Sequence, residues 1–468
     1  MATRRDLLQA HRFLGQRVHS ALVIHETDPE QPPFRRPAIA AWGSVALAVL
    51  GLVAVGAYGF FRPGGNNAWR DGKAVIVVKE TGARYVYLDQ TLHPVLNYTS
   101  ALLALGANGP TRSVSRESLM GVARGPAIGI PDAPDTLPAA AGVLGAGWSL
   151  CSQTSADATG AAVDTSTLLV GADPAGARPI GEQALLVKVP ESGDEHLIWH
   201  GRRHRIRHTD ATLVGLALRA EPVARVGTAL VDVLPAGEAI GPLPVRRAGR
   251  PSRAVPGRAD LRAGQLLVVD TGGEAQYYLA EEDRLRPITA FQSEIQLAAP
   301  VTADAYPGNE PALIPLGVSA AATAATGGPE ASPGAAPATR PQFAPAGGGP
   351  VCVTYDDGAG VPRVRVGGRL PATSVPTRGR TAGGLPLADR VHVPPGRVAV
   401  AEVLPSAAAG AGTLMVVTDQ GRAYPLAGRE VLGMLGYGKV RPVRLPATLV
   451  SRVPLGAGLD PAHARDPV

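Results

Sequence analysis

The sequence is poor in aromatic side chains, in lysine and in cysteine, and each shortage weighs against a class of protein. Only 4% of its 468 residues are aromatic, so cores must be built from Val, Leu, Ile and Ala, and rings that stack on sugars or bases are scarce. Lysine occurs only at 73, 79, 188 and 439; arginine carries the rest of a mild net charge of +6. No dense basic stripe interleaved with aromatics is present, which argues against a nucleic-acid partner. Missing too are a GxxxxGK[ST] phosphate loop and a GxSxG nucleophile elbow. Neither Gly72-Lys73-Ala74 nor Gly438-Lys439-Val440 completes the former. No catalytic residue, cofactor or metal site is expected.

Only one long apolar run exists. Residues 38–61 read AIAAWGSVALAVLGLVAVGAYGFF, without charge or proline. A helix of that length spans about 36 Å, enough to cross a hydrocarbon core of about 30 Å with some tilt. Trp42 and Tyr58 suit the two water–lipid interfaces, and the glycines at 43, 51, 56 and 59 allow close approach to other helices. The run is too long and too far along the chain for a cleaved signal peptide. Arg4, Arg5, Arg12, Arg17, Arg35 and Arg36 precede it, whereas only Arg62, Arg70 and Lys73 follow closely. The positive-inside bias therefore predicts a cytoplasmic N-terminus and an exported remainder. Ahead of the span, Leu7, His11, Leu14, Val18 and Leu22 share one face of a helix predicted over 4–24. It either lies on the membrane or docks on a cytoplasmic partner. Asp28 to Pro37 is proline-rich and reads as a stiff lead-in to the span.

The two cysteines, Cys151 and Cys352, fall on the exported side, where a pair is most simply one disulfide. The 57 glycines and 44 prolines point to many turns and short elements.

Past the span the chain repeats itself at uneven intervals. Four stretches share a strand, a polar turn, a second strand and a short helix. Their first strands and turns are AVIVV with KETGA (74–83), ALLVKV with PESGD (184–194), QLLVV with DTGGE (265–274) and TLMVV with TDQG (413–421). Tails LVDVLPAGEAIGP (230–242) and LVSRVPLGAGLDP (449–461) agree at their turn residues, and GVARGPAIGIP (121–131) is a version shifted by one residue. The uneven spacing excludes a stacked solenoid. The fold class is α+β: one transmembrane helix, then four small ββα-type repeat domains around a central β-rich domain. The predicted division is 1–37 N-terminal helix and linker, 38–61 span, and repeat domains at 62–138, 183–248, 263–318 and 411–468. Central-domain pieces are 139–182, 249–262 and 350–410, and 319–349 is a flexible Ala/Pro/Gly-rich loop.

Two constellations tempt an enzyme reading. His196, His200, His204 and His208 are spaced four apart, as metal ligands on one helix face would be. Yet Gly201 interrupts them and the repeat makes 196–199 a strand, so they are read as solvated turn and repeat positions. Asp270-Thr271-Gly272 has the look of an aspartic-protease loop. That chemistry needs a second such carboxylate, and the repeat makes this position a hairpin turn.

Taken together, RRDLLQAHRFLGQRVHSAL (4–22), the single span, the VVKETGARYVYLD type of hairpin, Trp148-Ser149-Leu150-Cys151, Pro350-Val351-Cys352-Val353, and Tyr424-Pro425-Leu426 with Leu435-Gly436-Tyr437 resemble the EccB family of actinobacterial type VII (ESX) secretion systems. The resemblance implies an elongated extracytoplasmic part stapled by Cys151–Cys352. It also implies membership of a membrane complex with an EccC-type ATPase, EccD, EccE and a mycosin protease. Family members are sometimes labelled ATPases, a label for which this sequence has no phosphate-binding loop. The expected role is a structural subunit that associates with membrane lipid, partners and copies of itself. The competing role is a cell-wall-binding anchor, and a third, hydrolytic role lacks a site.

Overall fold

The computed structural model describes residues 3–23, 25, 35–61, 67–145, 147–156, 159–273, 275–327, 334–345, 347–358 and 360–468. The stiff lead-in expected over 28–37 lies outside them up to position 34, and Arg35–Pro37 already belong to the long helix. The chain forms two compact units, residues 1–92 with 111–125, and residues 93–110 with 126–468.

The first unit begins with helix Arg4–Val23, opened by Asp6, whose carboxylate accepts both the Thr3 N–H and the Thr3 hydroxyl. Leu7, Leu14, Val18 and Leu22 stand exposed along it. Helix Arg35–Phe61 follows, and within it Pro37–Tyr58 is long and apolar enough to cross a membrane, with none of it buried. Four strands of one sheet follow, Val75–Val78, Arg84–Leu88, Thr91–Pro94 and Thr111–Val114, and Ile76, Val78, Leu92 and Val114 pack around Trp69, whose indole N–H donates to Ser118 Oγ at 3.0 Å.

One strand order recurs in four sheets: third, second, first, fourth, with the fourth parallel to the first. The repeat is therefore βββαβ, with one strand more on each side of the helix than the ββα plan read from the sequence. Parallel pairing needs a crossover, and the short helices supply it. In the second unit these sheets are Leu185–Lys188, Glu195–Trp199, Arg202–Arg205 and Val223–Arg225; Leu266–Asp270, Ala275–Ala280, Leu285–Ile288 and Leu313–Pro315; and Val398–Leu404, Thr413–Thr418, Ala423–Pro425 and Val443–Pro446. The fourth copy corrects the sequence reading by one strand. TLMVV is its second strand, not its first, and Val398–Leu404, assigned above to the central domain, is its centre. Thr418–Gly421 thus joins the second and third strands and is not the counterpart of KETG.

A seven-stranded sheet carries the pieces from 139–182 and 350–410 that pair: Val375–Pro376, Arg390–His392, Ala162–Leu169, Trp148–Ala156, Val351–Tyr355, Arg363–Val366 and Arg178–Pro179, in that order. Segment 249–262 is not part of it. Ala254, Val255 and Leu261 bury themselves in the core of the third repeat with Leu267 and Leu285.

Two further expectations change. Much of 319–349 is ordered by packing: Val318–Thr323 is a helix, Gly327 N–H donates to Leu285 O, and Ala184 exchanges backbone bonds with Gln342 and Ala344. Phe343 reaches the second repeat's core, and Phe291 N–H donates to Ala338 O. Backbone pairing and one aromatic anchor hold a segment that composition alone marks as loose. Residues 93–110 and 126–138, expected in the first repeat, fall in the second unit. There Arg465 caps helix Tyr98–Leu105 through Ala104 O, at 3.0 Å from Nε and 2.8 Å from Nη2, and Tyr437 Oη donates to Pro138 O at 2.7 Å.

Candidate functional site

Cys151 and Cys352 lie opposite each other on neighbouring antiparallel strands of the central sheet, Cα atoms 4.0 Å apart, and are joined by a disulfide across 201 residues. Both are fully buried, packed with Leu169, Ala172 and Leu370. Alternation puts Trp148, Leu150, Val351, Val353 and Tyr355 on the opposite face. That face enters one core with Leu185, Val187 and Ile198 of the second repeat and Ala399, Val417 and Leu445 of the fourth. The stapled sheet and two repeats are therefore one hydrophobic body.

Polar contacts fix its register. Tyr355 Oη donates to Val233 O at 2.6 Å, and burial pushes its phenol well above the usual range. Asp232, beside Val233, accepts from Arg203 of its own repeat and from Arg452 of the fourth, each at 3.4 Å. Arg452 also donates to Pro386 O at 2.8 Å and Thr448 O at 3.2 Å. Burial lowers the guanidinium's pKa, opposed by Asp232, yet arginine stays charged. An interior charge shared by three chain segments fixes one arrangement of them.

The tails matched by sequence form a structural brace. In every copy a glycine N–H donates to the third strand: Gly125 to Leu92 O, Gly237 to Arg203 O, Gly327 to Leu285 O and Gly456 to Ala423 O, all at 2.8–3.0 Å. The first-copy tail is not shifted up to its isoleucine: Ile128, Ile240 and Leu459 each follow the glycine by three and bridge Val95, Ile206 and Leu426. Its extra residue enters only afterwards. The third-copy glycine escaped the sequence reading because it sits in the Ala-rich segment. Gly237 and Gly456 are required sterically: a Cβ would stand 2.3 Å from the ring of His204 and of Tyr424 respectively.

These braces explain the histidines and correct their reading as solvated. His204 is fully buried over Gly237, its Nδ1 at 2.8 Å from Glu238 O, and His196 is buried too. His93 approaches Pro126 O in the same way at 3.2 Å. Burial lowers the pKa of both His196 and His204. Strand pairing sets Leu197 opposite His204 and Arg205 opposite His196, so the two rings point to opposite faces. His200 and His208 occupy left-handed turn positions, and His200 lies 2.6 Å from Glu182. Among the described residues no group of three or more His, Cys, Asp or Glu gathers as a metal set. Asp270 accepts the Gly272 N–H at 2.8 Å as a turn carboxylate. Gly72-Lys73 and Gly438-Lys439 each lead into a strand, not from a strand into a helix as a phosphate loop requires.

The architecture defines a class: a chain with, among the described residues, one membrane-spanning candidate helix and several copies of a small βββαβ sheet, three of them in one unit with a disulfide-stapled central sheet. The family described as "Type VII secretion system ESX-1, transport TM domain B" matches residues 1–466, and the chain belongs to it. Among its relatives, the ESX-3 secretion system ATPase EccB3 of Mycolicibacterium smegmatis is 30% identical over 307 residues, 62% of this chain and 56% of the relative. The ESX-2 secretion system ATPase EccB2 of Mycobacterium tuberculosis is 33% identical over 234 residues, 48% of this chain and 46% of the relative. The chain thus spans about half the length of the curated relatives it matches. A chain from an intact ESX-5 inner membrane complex shares the fold with a TM-score of 0.64 at 23% identity, over 100% of this chain and 96% of that one. A chain from an EccB3 dimer of the ESX-3 core complex gives 0.62 at 24%, over 84% and 100%.

Proposed function

We propose that this chain is a structural core subunit of a type VII secretion complex in the cell membrane. The support is that the family match runs through both the span and the outer repeats. In this reading Pro37–Tyr58 packs among other membrane helices, with the N-terminus in the cytoplasm because arginines crowd that flank. Helix Arg4–Val23 docks on cytoplasmic partners through its exposed leucines. The repeats associate outside the membrane with copies of the same chain and with EccC-type, EccD, EccE and mycosin components. Hydrolysis of ATP belongs to the EccC-type partner, since this chain carries no phosphate-binding loop; the name ATPase given to its relatives is not extended to it.

The anchor reading loses ground. Tyr87 packs edge-on to Trp69 with centroids 5.3 Å apart, Trp199 stacks on His200 at 3.9 Å, and Tyr278 supports the third core. Rings engaged in this way are not free to form a repeated sugar-stacking surface. Purification of tagged full-length protein from gently solubilised membranes, with stoichiometry, tests the proposal. Recovery of an ATPase-containing complex is expected. Recovery of this chain alone, or phosphate release by the pure protein, would overturn it.

A further inference from the structure

The face of the central sheet that carries the disulfide also carries a polar cleft of about 280 Å³. Gln153 and Thr165 stand opposite each other on neighbouring strands, and Thr167 and Arg390 do so one strand over, all on the same face as Cys151. Leu370 and Pro371 form an apolar wall beside them. Arg390 is held in place: its Nε donates to Ser374 Oγ at 2.6 Å and its Nη2 to Ser374 O at 2.8 Å. Among the described residues Nη1 has no protein partner and no carboxylate lines the cleft. The half-buried Arg365 of the same sheet, by contrast, is neutralised by Asp173 at 3.1 Å. Arg390 is left as a pre-ordered cation amid hydroxyl and carboxamide groups.

From this arrangement we infer that the cleft binds one carboxylate-bearing sugar residue of an extracytoplasmic glycan. The fixed guanidinium recognises the carboxylate, charge-assisted and with little ordering cost. Hydroxyl and carboxamide groups both donate and accept, as sugar hydroxyls do. An extended peptide fits less well, because the floor strands already spend their backbone groups on each other and leave no edge to augment. The volume suits a single ring, so the cleft is one shallow subsite and not a repeated module. Access to such a glycan rests on the orientation proposed above; binding in detergent does not, so the two readings fail separately.

The test is titration of detergent-solubilised full-length protein with N-acetylmuramic acid, using N-acetylglucosamine, which lacks the 3-O-lactyl ether group that carries the carboxylate, as the neutral control. Saturable binding is expected for the acid, at least about tenfold tighter than for the neutral sugar. Arg390→Gln should lose about tenfold in affinity, with partial rescue by Arg390→Lys. Thr165→Val, which leaves the Arg390–Ser374 contact alone, should weaken binding severalfold even if Arg390→Gln fails to fold. Equal binding of the two sugars, no saturation, or unchanged affinity in folded Thr165→Val would overturn the assignment.

Discussion

Asp232 of the second repeat and Arg452 of the fourth meet at 3.4 Å across 220 residues of chain, on top of the core shared with the central sheet. The arginine side chain is 8% exposed and the aspartate 35%. Removing the carboxylate leaves a buried cation without its counter-ion. Asp232→Ala is expected to cost about 2 kcal/mol, less than a fully buried pair because the aspartate is partly wet. Asp210→Ala, whose partner Arg219 is also exposed, should stay within about 0.5 kcal/mol. Denaturant midpoints of the two variants measure the contrast.

The disulfide closes a loop of 201 residues, and chain-entropy reasoning values that at about 5 kcal/mol. Cys151→Ser with Cys352→Ser should lower the unfolding midpoint, and reductant should have no further effect on that variant. Strand pairing around the site, from Val351–Ser152 to Tyr355–Trp148, should survive, as amide exchange would report.

Gly237→Ala and Gly456→Ala drive a Cβ to 2.3 Å from the His204 and Tyr424 rings. Each should destabilise by about 1–3 kcal/mol through overpacking. Gly458→Ala, two residues from Gly456 and with no neighbour in reach of a Cβ, should leave the thermal midpoint unchanged within error.

His196 and His204 have pKa values lowered by burial, so the unfolded chain, titrating near 6.5, binds protons more readily than the folded one. Their contribution is complete above that value and is lost as pH falls through the folded pKa values. Stability should therefore drop on acidification below about pH 6.5. His204→Tyr, which installs the ring found at the equivalent Tyr424, should flatten the slope measured in urea midpoints against pH.

Arg465 caps helix Tyr98–Leu105 from 361 residues away. Arg465→Ala should raise amide exchange in that helix selectively, by about 1 kcal/mol in opening free energy. Uniform loosening of the whole chain would contradict a local cap.

The apolar run at 38–61, the polar turns and the alternating Val and Leu were legible without coordinates, because each depends on neighbours a few residues away. Composition was enough to name a span, and turn residues were enough to detect four related stretches. The strand frame of the fourth copy was not legible. TLMVV and VAVAEVL are both apolar and β-branched, and only pairing with Val443–Pro446 shows which is central. The same limit made 319–349 look loose, since Phe343 and Gly327 acquire their roles from distant partners. His204 looked like a surface residue because its burial depends on a glycine 33 positions later in the sequence. Local chemistry in the chain thus determined which pieces form and which of them can enter a bilayer. Which pieces share a core, and which charge is buried between them, was decided only by long-range packing, whose partners no nearby pattern encodes.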